Sequence, residues 1–339
     1  MNGQVVSPRT RAGVTGELAP RLPTRDTFAA VAEAVRAGLL RKHKRLPPWL
    51  LYDDEGSDLF EEITRLPQYY LTRTERAILT THADSIIAAA GCPREVVELG
   101  AGSASKTSVL LAALLRRLPR VRYVPVDVSA AALSQAAAEL RPLRLVDLQP
   151  VAARYPEELD FLRRPANGRR LVLFLGSNVG NYEPPRALEL LAAVRRHLAP
   201  GDAFLMGVDR RKSPAVLLPA YDDDAGVTAR FSKNVLARLN RELGANFNLT
   251  RFRHVVIWRD RASRLDLYLE SAVSQDVVIE ALDLRVHFAA RERIHTESSH
   301  KPTDAKVRRL LERAGFVPEA VWQDERRLYG VHLARVPPG

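Results

Sequence analysis

The sequence is poor in the residues that cross-link small domains or hold metal clusters. Its 339 residues include a single cysteine, Cys92, which excludes an internal disulfide and a cysteine-ligated zinc cluster. No apolar run approaches the roughly 18 residues that span a bilayer, and the first 25 residues contain no apolar stretch of signal-peptide length. We expect a soluble, cytoplasmic protein, and a hydrophobic content of 46% is ample for a packed core.

Lysine is also scarce, because it accounts for only seven of the 51 basic residues. The net charge of +11 raises the question of a nucleic-acid partner. The arginines are spread along the whole chain, however, and the densest basic cluster, residues 41–45, has no interleaved aromatic residue for base stacking. We therefore expect no nucleic-acid partner.

Several catalytic signatures are missing as well. The eight histidines include no His-x-x-x-His pair and no flanking set of carboxylates. The sequence also has no Gly-x-Ser-x-Gly elbow and no phosphate-binding P-loop. We expect neither a bound metal nor a covalent nucleophile.

The N-terminal quarter is predicted to be helical after a disordered tail. Residues 1–25 show no periodicity, which favours disorder. Apolar residues at helical spacing predict helices at about 27–40, 57–65 and 73–89.

From Val96 onward, strands alternate with helices. The predicted strands are 96–99, 123–128, 145–151, 171–176 and 203–208, and the predicted helices are 107–117, 130–139 and 185–198. This alternation predicts an α/β fold with a doubly wound, mostly parallel sheet. Such sheets bind ligands at the carboxyl ends of their strands, where Gly100, Asp127 and Gly176 fall.

The loop after the first strand predicts a nucleoside site. Residues 98–103 read Glu-Leu-Gly-Ala-Gly-Ser, and Asp127 ends the next strand, where its carboxylate can accept both ribose hydroxyls. The loop lacks the third glycine of the dinucleotide fingerprint. The acid Glu98 ahead of the glycines suits a cationic sulfonium, which favours S-adenosylmethionine over NAD.

A region between Tyr221 and Arg293 interrupts the alternation. It contains a predicted helix at 227–243 and alternating strands at 252–258, 265–269 and 284–288, typical of an antiparallel sheet with one solvent-facing side. A helix at 304–314 and strands around 320–322 and 328–334 then return to the main sheet. We predict a nucleoside-binding domain of residues 76–210 and 302–339, and a second domain of residues 26–75 and 211–301.

Two polar segments stand out beside the glycine loop. Residues 176–182, Gly-Ser-Asn-Val-Gly-Asn-Tyr, follow the fourth strand, where a second substrate can meet the nucleoside, although an ordinary turn explains them equally well. Residues 296–300 read Thr-Glu-Ser-Ser-His. If extended, they place Glu297 and Ser299 on one side to bind a polar ring or amine, and the alternative is a capping turn before Asp304.

The chain resembles the histidine Nα-methyltransferase family of ergothioneine biosynthesis, from about Leu46 to Val336. The segments that carry the resemblance are 52–60, 66–73, 98–103, 176–181, 220–223, 226–231, 240–247 and 296–299. The resemblance implies a class I, Rossmann-like methyltransferase that forms hercynine, the trimethyl betaine of L-histidine, from S-adenosylmethionine. It also implies a small-molecule substrate, no membrane partner and a monomer.

The resemblance also implies the site residues. The cofactor residues would be Tyr52, Gly100, Lys106, Asp127 and Tyr155, with Lys106 on the methionyl carboxylate. The substrate residues would be Asn181 and Tyr221 at the histidine carboxylate, Tyr70, Glu297 and Ser299 around the imidazole, and Gly176. Tyr70, Asn181 and Tyr221 are the candidate catalytic groups.

The chain departs from the family pattern at two positions. Residues 153–155 read Ala-Arg-Tyr where the family has Gly-Asp-aromatic, so the adenine amino group lacks its acid partner. Leu267 stands where related enzymes carry Met near the imidazole. The alternatives are an N-methyltransferase for another aromatic amino acid such as tryptophan, an RNA methyltransferase, and an inactive binding module or a Rossmann dehydrogenase.

Overall fold

The computed structural model describes residues 25–155, 158–163 and 168–338. The predicted disordered tail lies outside these residues, except for Arg25, which begins the first helix. The helices of the described residues are α1 (Arg25–Leu39), α2 (Asp54–Thr64), α3 (Tyr70–Ala89), α4 (Thr107–Leu115), α5 (Ala130–Glu139), α6 (Pro184–Arg196), α7 (Pro214–Leu217), α8 (Val227–Leu243) and α9 (Asp304–Arg313). Every predicted helix is confirmed, with ends that differ by at most three residues.

The starts of two helices are explained by their capping residues. The side chain of Asp53 accepts a hydrogen bond from the Gly56 amide at 2.8 Å, so α2 begins three residues earlier than its apolar pattern predicts. Ser129 caps α5 in the same way, through the Ala132 amide at 3.1 Å.

The strands fall into three sheets. They are β1 (Glu95–Leu99), β2 (Val121–Asp127), β3 (Val146–Leu148), β4 (Val151–Ala152), β5 (Arg170–Phe174), β6 (Ala203–Asp209), β7 (Phe252–Arg259), β8 (Arg264–Ser271), β9 (Gln275–Ile279), β10 (Leu284–Phe288), β11 (Arg293–His300), β12 (Val317–Gln323) and β13 (Tyr329–Arg335). The predicted third strand is divided into β3 and β4, because Pro150 between them has no amide hydrogen for the ladder.

The main sheet has the doubly wound order that the alternation predicts. Its order is β12-β13-β6-β5-β1-β2-β3, with β4 also paired to β2. The pairs among β1 to β6 are parallel, and β13 joins β6 antiparallel. Strands β1, β5 and β6 are buried along their whole length, as expected for strands with helices on both faces.

The inserted region builds the two smaller sheets. Strands β7, β8 and β11 pair antiparallel in the order β11-β8-β7, and β9 pairs with β10. Residues 296–300 are therefore extended, within β11, and not a capping turn. The predicted solvent-facing side holds for β10, which alternates buried and exposed, but is wrong for the central strand β8, most of which is buried.

One apolar core joins the main sheet to the inserted region. It runs continuously from Val31 in α1 through Leu110 in α4 and Val235 in α8 to Val331 in β13. The domain boundaries drawn from the sequence therefore remain a prediction. No helix within the described ranges is both long and apolar enough to span a membrane.

Candidate active site

A cavity of about 920 Å³ opens at the carboxyl ends of β1, β2 and β5. Glu98 and Gly100 line it from the end of β1, Asp127 from the end of β2, and Gly176 from the turn after β5. The opposite wall includes Trp49 from the turn before α2. The three residues predicted to meet at the sheet edge thus share one cavity, as a doubly wound sheet requires.

The loop after β1 brings backbone close to this cavity. Gly100 and Gly102 have positive φ angles of 70° and 52°. A Cβ on Gly100 would lie 2.7 Å from both the Asn178 amide nitrogen and the Tyr155 hydroxyl, whereas a Cβ on Gly102 would meet nothing within 4 Å. Glycine therefore permits the close packing at the first position, and the second position faces open space that a ligand can fill.

Asp127 is held in one orientation by two backbone amides. Its Oδ2 accepts from the Gly102 amide and its Oδ1 from the Ser129 amide, both at 3.0 Å. Burial raises the pKa of Asp127, and these backbone hydrogen bonds oppose that rise. The remaining lone pairs of this oriented carboxylate are available to hydroxyl donors in the cavity.

Glu98 is the second acid on this edge and is almost fully buried. The Tyr123 hydroxyl donates to its carboxylate. Burial raises the pKa of Glu98 to about 7, although the hydrogen bonds from Tyr123 and Thr107 and the charge of Lys106 lower it. A cationic ligand group in the cavity would favour the ionised form of this acid.

Lys106 lines the cavity but forms an ion pair with Glu75 of α3. The buried Glu75 carboxylate also accepts from the Gly176 amide at 3.0 Å and from the Tyr329 hydroxyl at 2.9 Å. A Cβ on Gly207 would lie 1.8 Å from Glu75 Oε1, so only glycine leaves room for this acid. Glu75 was not predicted from the sequence. The available signal was its helical spacing with Leu71 and Ile78, which places an acid on an apolar face of the helix.

A smaller pocket adjoins the cavity toward β11. Both spaces share Tyr52, Phe60, Tyr69, Gly176, Asn178 and Asn181 in their walls. The pocket adds Tyr221, Leu267, Glu297 and Ser299. Four of the predicted substrate residues therefore lie together in the pocket that adjoins the cavity: Asn181, Tyr221, Glu297 and Ser299.

Glu297 is the group in this pocket whose charge has no direct partner. It is 7% exposed, and within the described part of the chain no donor hydrogen-bonds to its carboxylate. Burial raises the pKa of Glu297 to about 7, and the charge of Lys301 lowers it only in part. A buried carboxylate without donors is costly, so a ligand that donates a hydrogen bond to it gains free energy on binding.

Tyr221 and Ser299 form the opposite, donor side of the pocket. Their hydroxyl oxygens lie 3.0 Å apart. Lys301 donates to both, at 2.6 Å to Tyr221 and 2.9 Å to Ser299. Lys301 was not predicted from the sequence. The available signal was its position two residues beyond Ser299, which places both on the same side of an extended segment.

The structure does not bring Tyr70 to this pocket, so that placement is corrected. The Tyr70 hydroxyl donates to both carboxylate oxygens of Asp209 at 2.9 Å and accepts from Lys212 at 2.7 Å. Tyr70 opens α3, where adjacent side chains point about 100° apart. Its neighbour Tyr69 lines both spaces instead.

Residues 153–155 show where the departure from the family pattern lies. Tyr155 lines the cavity and packs edge-on against Phe174, with ring centroids 5.9 Å apart. The Arg154 guanidinium lies 5.6 Å from the centre of the Trp49 ring. Arg154 thus closes one wall of the cavity where an acid was expected.

Comparisons with known proteins agree with this geometry. Residues 31–336 match the family model described as histidine-specific methyltransferase, SAM-dependent. The chain belongs to this family. It is 42% identical to the histidine N-alpha-methyltransferase of Mycolicibacterium smegmatis, over 95% of this chain and 99% of that protein.

Two more distant relatives mark the breadth of the similarity. The ergothioneine biosynthesis protein 1 of Neurospora crassa is 30% identical over 86% of this chain, which matches 33% of that longer protein. A 4-dimethylallyltryptophan N-methyltransferase of Epichloe festucae var. lolii is 25% identical over 87% of this chain and 92% of that protein. The chain is accordingly an S-adenosylmethionine-dependent methyltransferase of class I fold.

Proposed function

We propose that this methyltransferase transfers three methyl groups from S-adenosylmethionine to the α-amino group of L-histidine, giving hercynine for ergothioneine biosynthesis. The observation that carries the proposal is the buried Glu297 carboxylate, which lacks a donor among the described residues and faces a pocket beside the cofactor cavity.

The proposed cofactor residues each have one task. Asp127, oriented by two amides, takes the ribose hydroxyls, and Gly100 and Gly102 let backbone approach the nucleoside. Lys106 neutralises the methionyl carboxylate while Glu75 keeps its ammonium at the cavity wall. The rings of Tyr52 and Tyr155 enclose the bound molecule.

The proposed substrate residues divide the pocket into an acceptor and a donor side. Glu297 accepts the imidazole N–H, and Ser299 donates to the other ring nitrogen, which is the pattern of a neutral imidazole. Tyr221 and Asn181 donate to the histidine carboxylate, and Tyr69 replaces Tyr70 in the wall. Gly176 lies between the two spaces, where the amine and the methyl carbon must meet.

The chemistry requires alignment more than activation. S-adenosylmethionine supplies a methyl group on a sulfonium, which an amine lone pair can displace in line. Holding the two groups in register contributes several kcal/mol, with an upper limit of roughly 7 to 11 kcal/mol. Before each transfer the substrate nitrogen loses one proton, which frees its lone pair. The N–C bond then forms as the C–S bond breaks, and S-adenosylhomocysteine is the leaving group. A trimethylated nitrogen has no lone pair, so the reaction stops after three transfers.

A second candidate substrate is an aromatic amino acid of the tryptophan type. It is favoured by the 25% identical relative that methylates a prenylated tryptophan. An indole has one donor and no acceptor nitrogen, so it would leave one side of the pocket unpaired. Histidine satisfies both Glu297 and Ser299 and is therefore preferred.

The purified protein and methyl-labelled S-adenosylmethionine separate these candidates in one assay. We expect turnover with L-histidine and a mass series of mono-, di- and trimethylated product. L-Tryptophan, unfractionated RNA and a reaction without acceptor are the parallel arms. Transfer to tryptophan or RNA at a rate equal to or above that for histidine would refute the proposal.

A further inference from the structure

A fully buried charge cluster lies directly behind the donor side of the substrate pocket. Lys301 follows β11 and Asp209 ends β6, and both side chains are 0% exposed. Lys212 and Tyr70 complete the cluster through their own bonds to Asp209. Among the described residues neither Lys301 nor Asp209 lines the cavity or the pocket, so contact with a ligand does not explain their presence.

Lys301 makes two hydrogen bonds and one ion pair through its ammonium group. An ammonium group carries three donors and no acceptor. Its Nζ lies 2.8 Å from Asp209 Oδ2, 2.6 Å from the Tyr221 hydroxyl and 2.9 Å from Ser299 Oγ. Two hydrogen bonds to hydroxyl oxygens and an ion pair with Asp209 therefore compensate the burial of this ammonium group.

The arrangement determines which way the two hydroxyl hydrogens point. Since Tyr221 and Ser299 both accept from Lys301, neither hydroxyl hydrogen can point back toward the lysine. Each hydrogen goes either to the other hydroxyl, 3.0 Å away, or into the pocket. Only one of the two hydrogens can lie between the two hydroxyl oxygens. The other hydrogen therefore always points into the pocket.

The charge of Lys301 acts in the same sense as its geometry. The ammonium group of Lys301 lies directly behind Tyr221 and Ser299, on the side where we place the substrate carboxylate, whereas Lys212 pairs with Asp209 farther from the pocket. An anionic group at that place is stabilised in a poorly solvated site. On the other side of the pocket, the same charge favours the ionised form of Glu297.

We propose that Lys301, anchored by Asp209, is a positioning residue that holds the Tyr221 and Ser299 hydroxyls as hydrogen-bond donors to the amino-acid substrate. This inference rests on the proposed function and deepens it, because it explains how the donor side of the pocket is maintained. It assigns Lys301 no contact with the substrate.

The test is a double-mutant cycle between Lys301 and one of the hydroxyls it orients. Lys301→Met removes the donors with little change in volume, and Tyr221→Phe removes one acceptor. We expect Lys301→Met to raise the KM for histidine at least tenfold, with the Kd for S-adenosylmethionine within about twofold of wild type. In the Tyr221→Phe background, the same change should raise the KM by a clearly smaller factor, because one of the two hydroxyls that Lys301 orients is already gone.

The matched control is Lys212→Met, which removes a second buried lysine from Asp209 but from neither hydroxyl. It should leave the KM for histidine within about twofold, whatever its effect on the thermal midpoint. Lys301→Arg keeps the charge and the donors and should recover most of the affinity. A multiplicative cycle, or an equal rise of KM in Lys212→Met, would reduce Lys301 to a structural role and overturn the inference.

Two further readings keep the test decisive. If Lys301→Met does not fold, Lys301→Gln takes its place in the cycle, and an unchanged KM for this neutral side chain overturns the inference. The wild-type assay tests the proposed function separately, because the cycle is measured with whichever amino acid the wild-type protein methylates.

Discussion

At the cofactor end of the cleft, the acids already have donors, whereas at the substrate end Glu297 has none in the described chain. Asp127 accepts from two backbone amides, and Glu75 accepts from an amide, a hydroxyl and an ammonium group. Glu297 is also buried, but it is influenced only by the more distant charge of Lys301. Both ends use carboxylates, yet only at the cofactor end do the carboxylates have hydrogen-bond donors without a ligand.

The difference indicates how the two ends share the work of recognition. A carboxylate that already accepts hydrogen bonds from the protein is held in one orientation, so cofactor binding costs little free energy for ordering it. An unpaired buried acid destabilises the free protein and rewards only a ligand that donates to it, which is how a polar pocket rejects apolar analogues. Four changes test this contrast, beginning with the largest expected effect.

Gly207→Ala should break the completed end. The new Cβ would lie 1.8 Å from Glu75 Oε1 and displace an acid that is buried with three partners. Disturbing a buried ion pair costs about 3 to 5 kcal/mol, so we expect the free energy of unfolding in urea to fall by that order. Adding Glu75→Ala should relieve part of the clash, and a double variant less stable than the sum of its parts would contradict this explanation.

Glu297→Gln should reveal the cost of the open end as a dependence of stability on pH. Because burial raises the pKa of Glu297 from 4.5 to about 7, the folded protein holds this proton more tightly than the unfolded chain. The wild type therefore loses stability as pH rises from about 4.5 through 7, by about 3 kcal/mol in total. The side chain of the Glu297→Gln variant has no carboxyl proton, so the stability of that variant does not fall in this way.

Urea unfolding of both proteins at pH 5 and pH 8 measures this difference. Relative to the wild type, the free energy of unfolding of the variant should rise by about 2.5 kcal/mol between the two pH values. Glu98, whose pKa also lies at about 7, is present in both proteins and cancels. Parallel curves at the two pH values would mean that Glu297 is solvated or paired in solution.

Glu297→Ala should separate the two ends in function. Removing the acceptor of the imidazole N–H costs about 1.5 to 3 kcal/mol, so kcat/KM for histidine should fall roughly 10- to 100-fold. The Kd for S-adenosylmethionine, measured by calorimetry, should stay within about twofold, because Glu297 lies in the adjoining pocket and not in the cavity walls. An unchanged kcat/KM would defeat the imidazole assignment.

The same contrast explains what could be predicted from the sequence. The cofactor end follows from local rules: buried apolar strands, glycines after β1 and an acid at the end of β2 lie within 30 residues, and the sheet topology brings them together. Helices and their order were predicted for similar reasons. Strand β9 was missed because its five residues, Gln-Asp-Val-Val-Ile, do not alternate between polar and apolar.

The substrate end depends on contacts between distant segments. Tyr221 lies far along the chain from Glu297, and nothing in the local spacing shows that the two meet, so the role of Tyr221 rested on the family resemblance alone. The spacing of Glu297 and Ser299 predicted only that they could bind one polar group, and Lys301 was not predicted. That resemblance misplaced Tyr70 by one residue, since two adjacent tyrosines open α3 and only the packing of α3 determines that Tyr69 faces the pocket. Glu75 was missed because its partners lie 101 and 254 residues away.

Asp127→Ala completes the comparison from the cofactor side, with the smallest expected effect. The variant loses the acceptor of the ribose hydroxyls. The Gly102 and Ser129 amides that orient Asp127 lie near the cavity, however, and can donate hydrogen bonds to water instead. The Kd for S-adenosylmethionine should therefore rise only about tenfold, corresponding to about 1.4 kcal/mol. At saturating cofactor the KM for histidine should stay within about twofold, the reverse of Glu297→Ala. Calorimetry and steady-state kinetics measure the two quantities separately, and a rise in both constants together would mean that the two ends are coupled through the loop after β1.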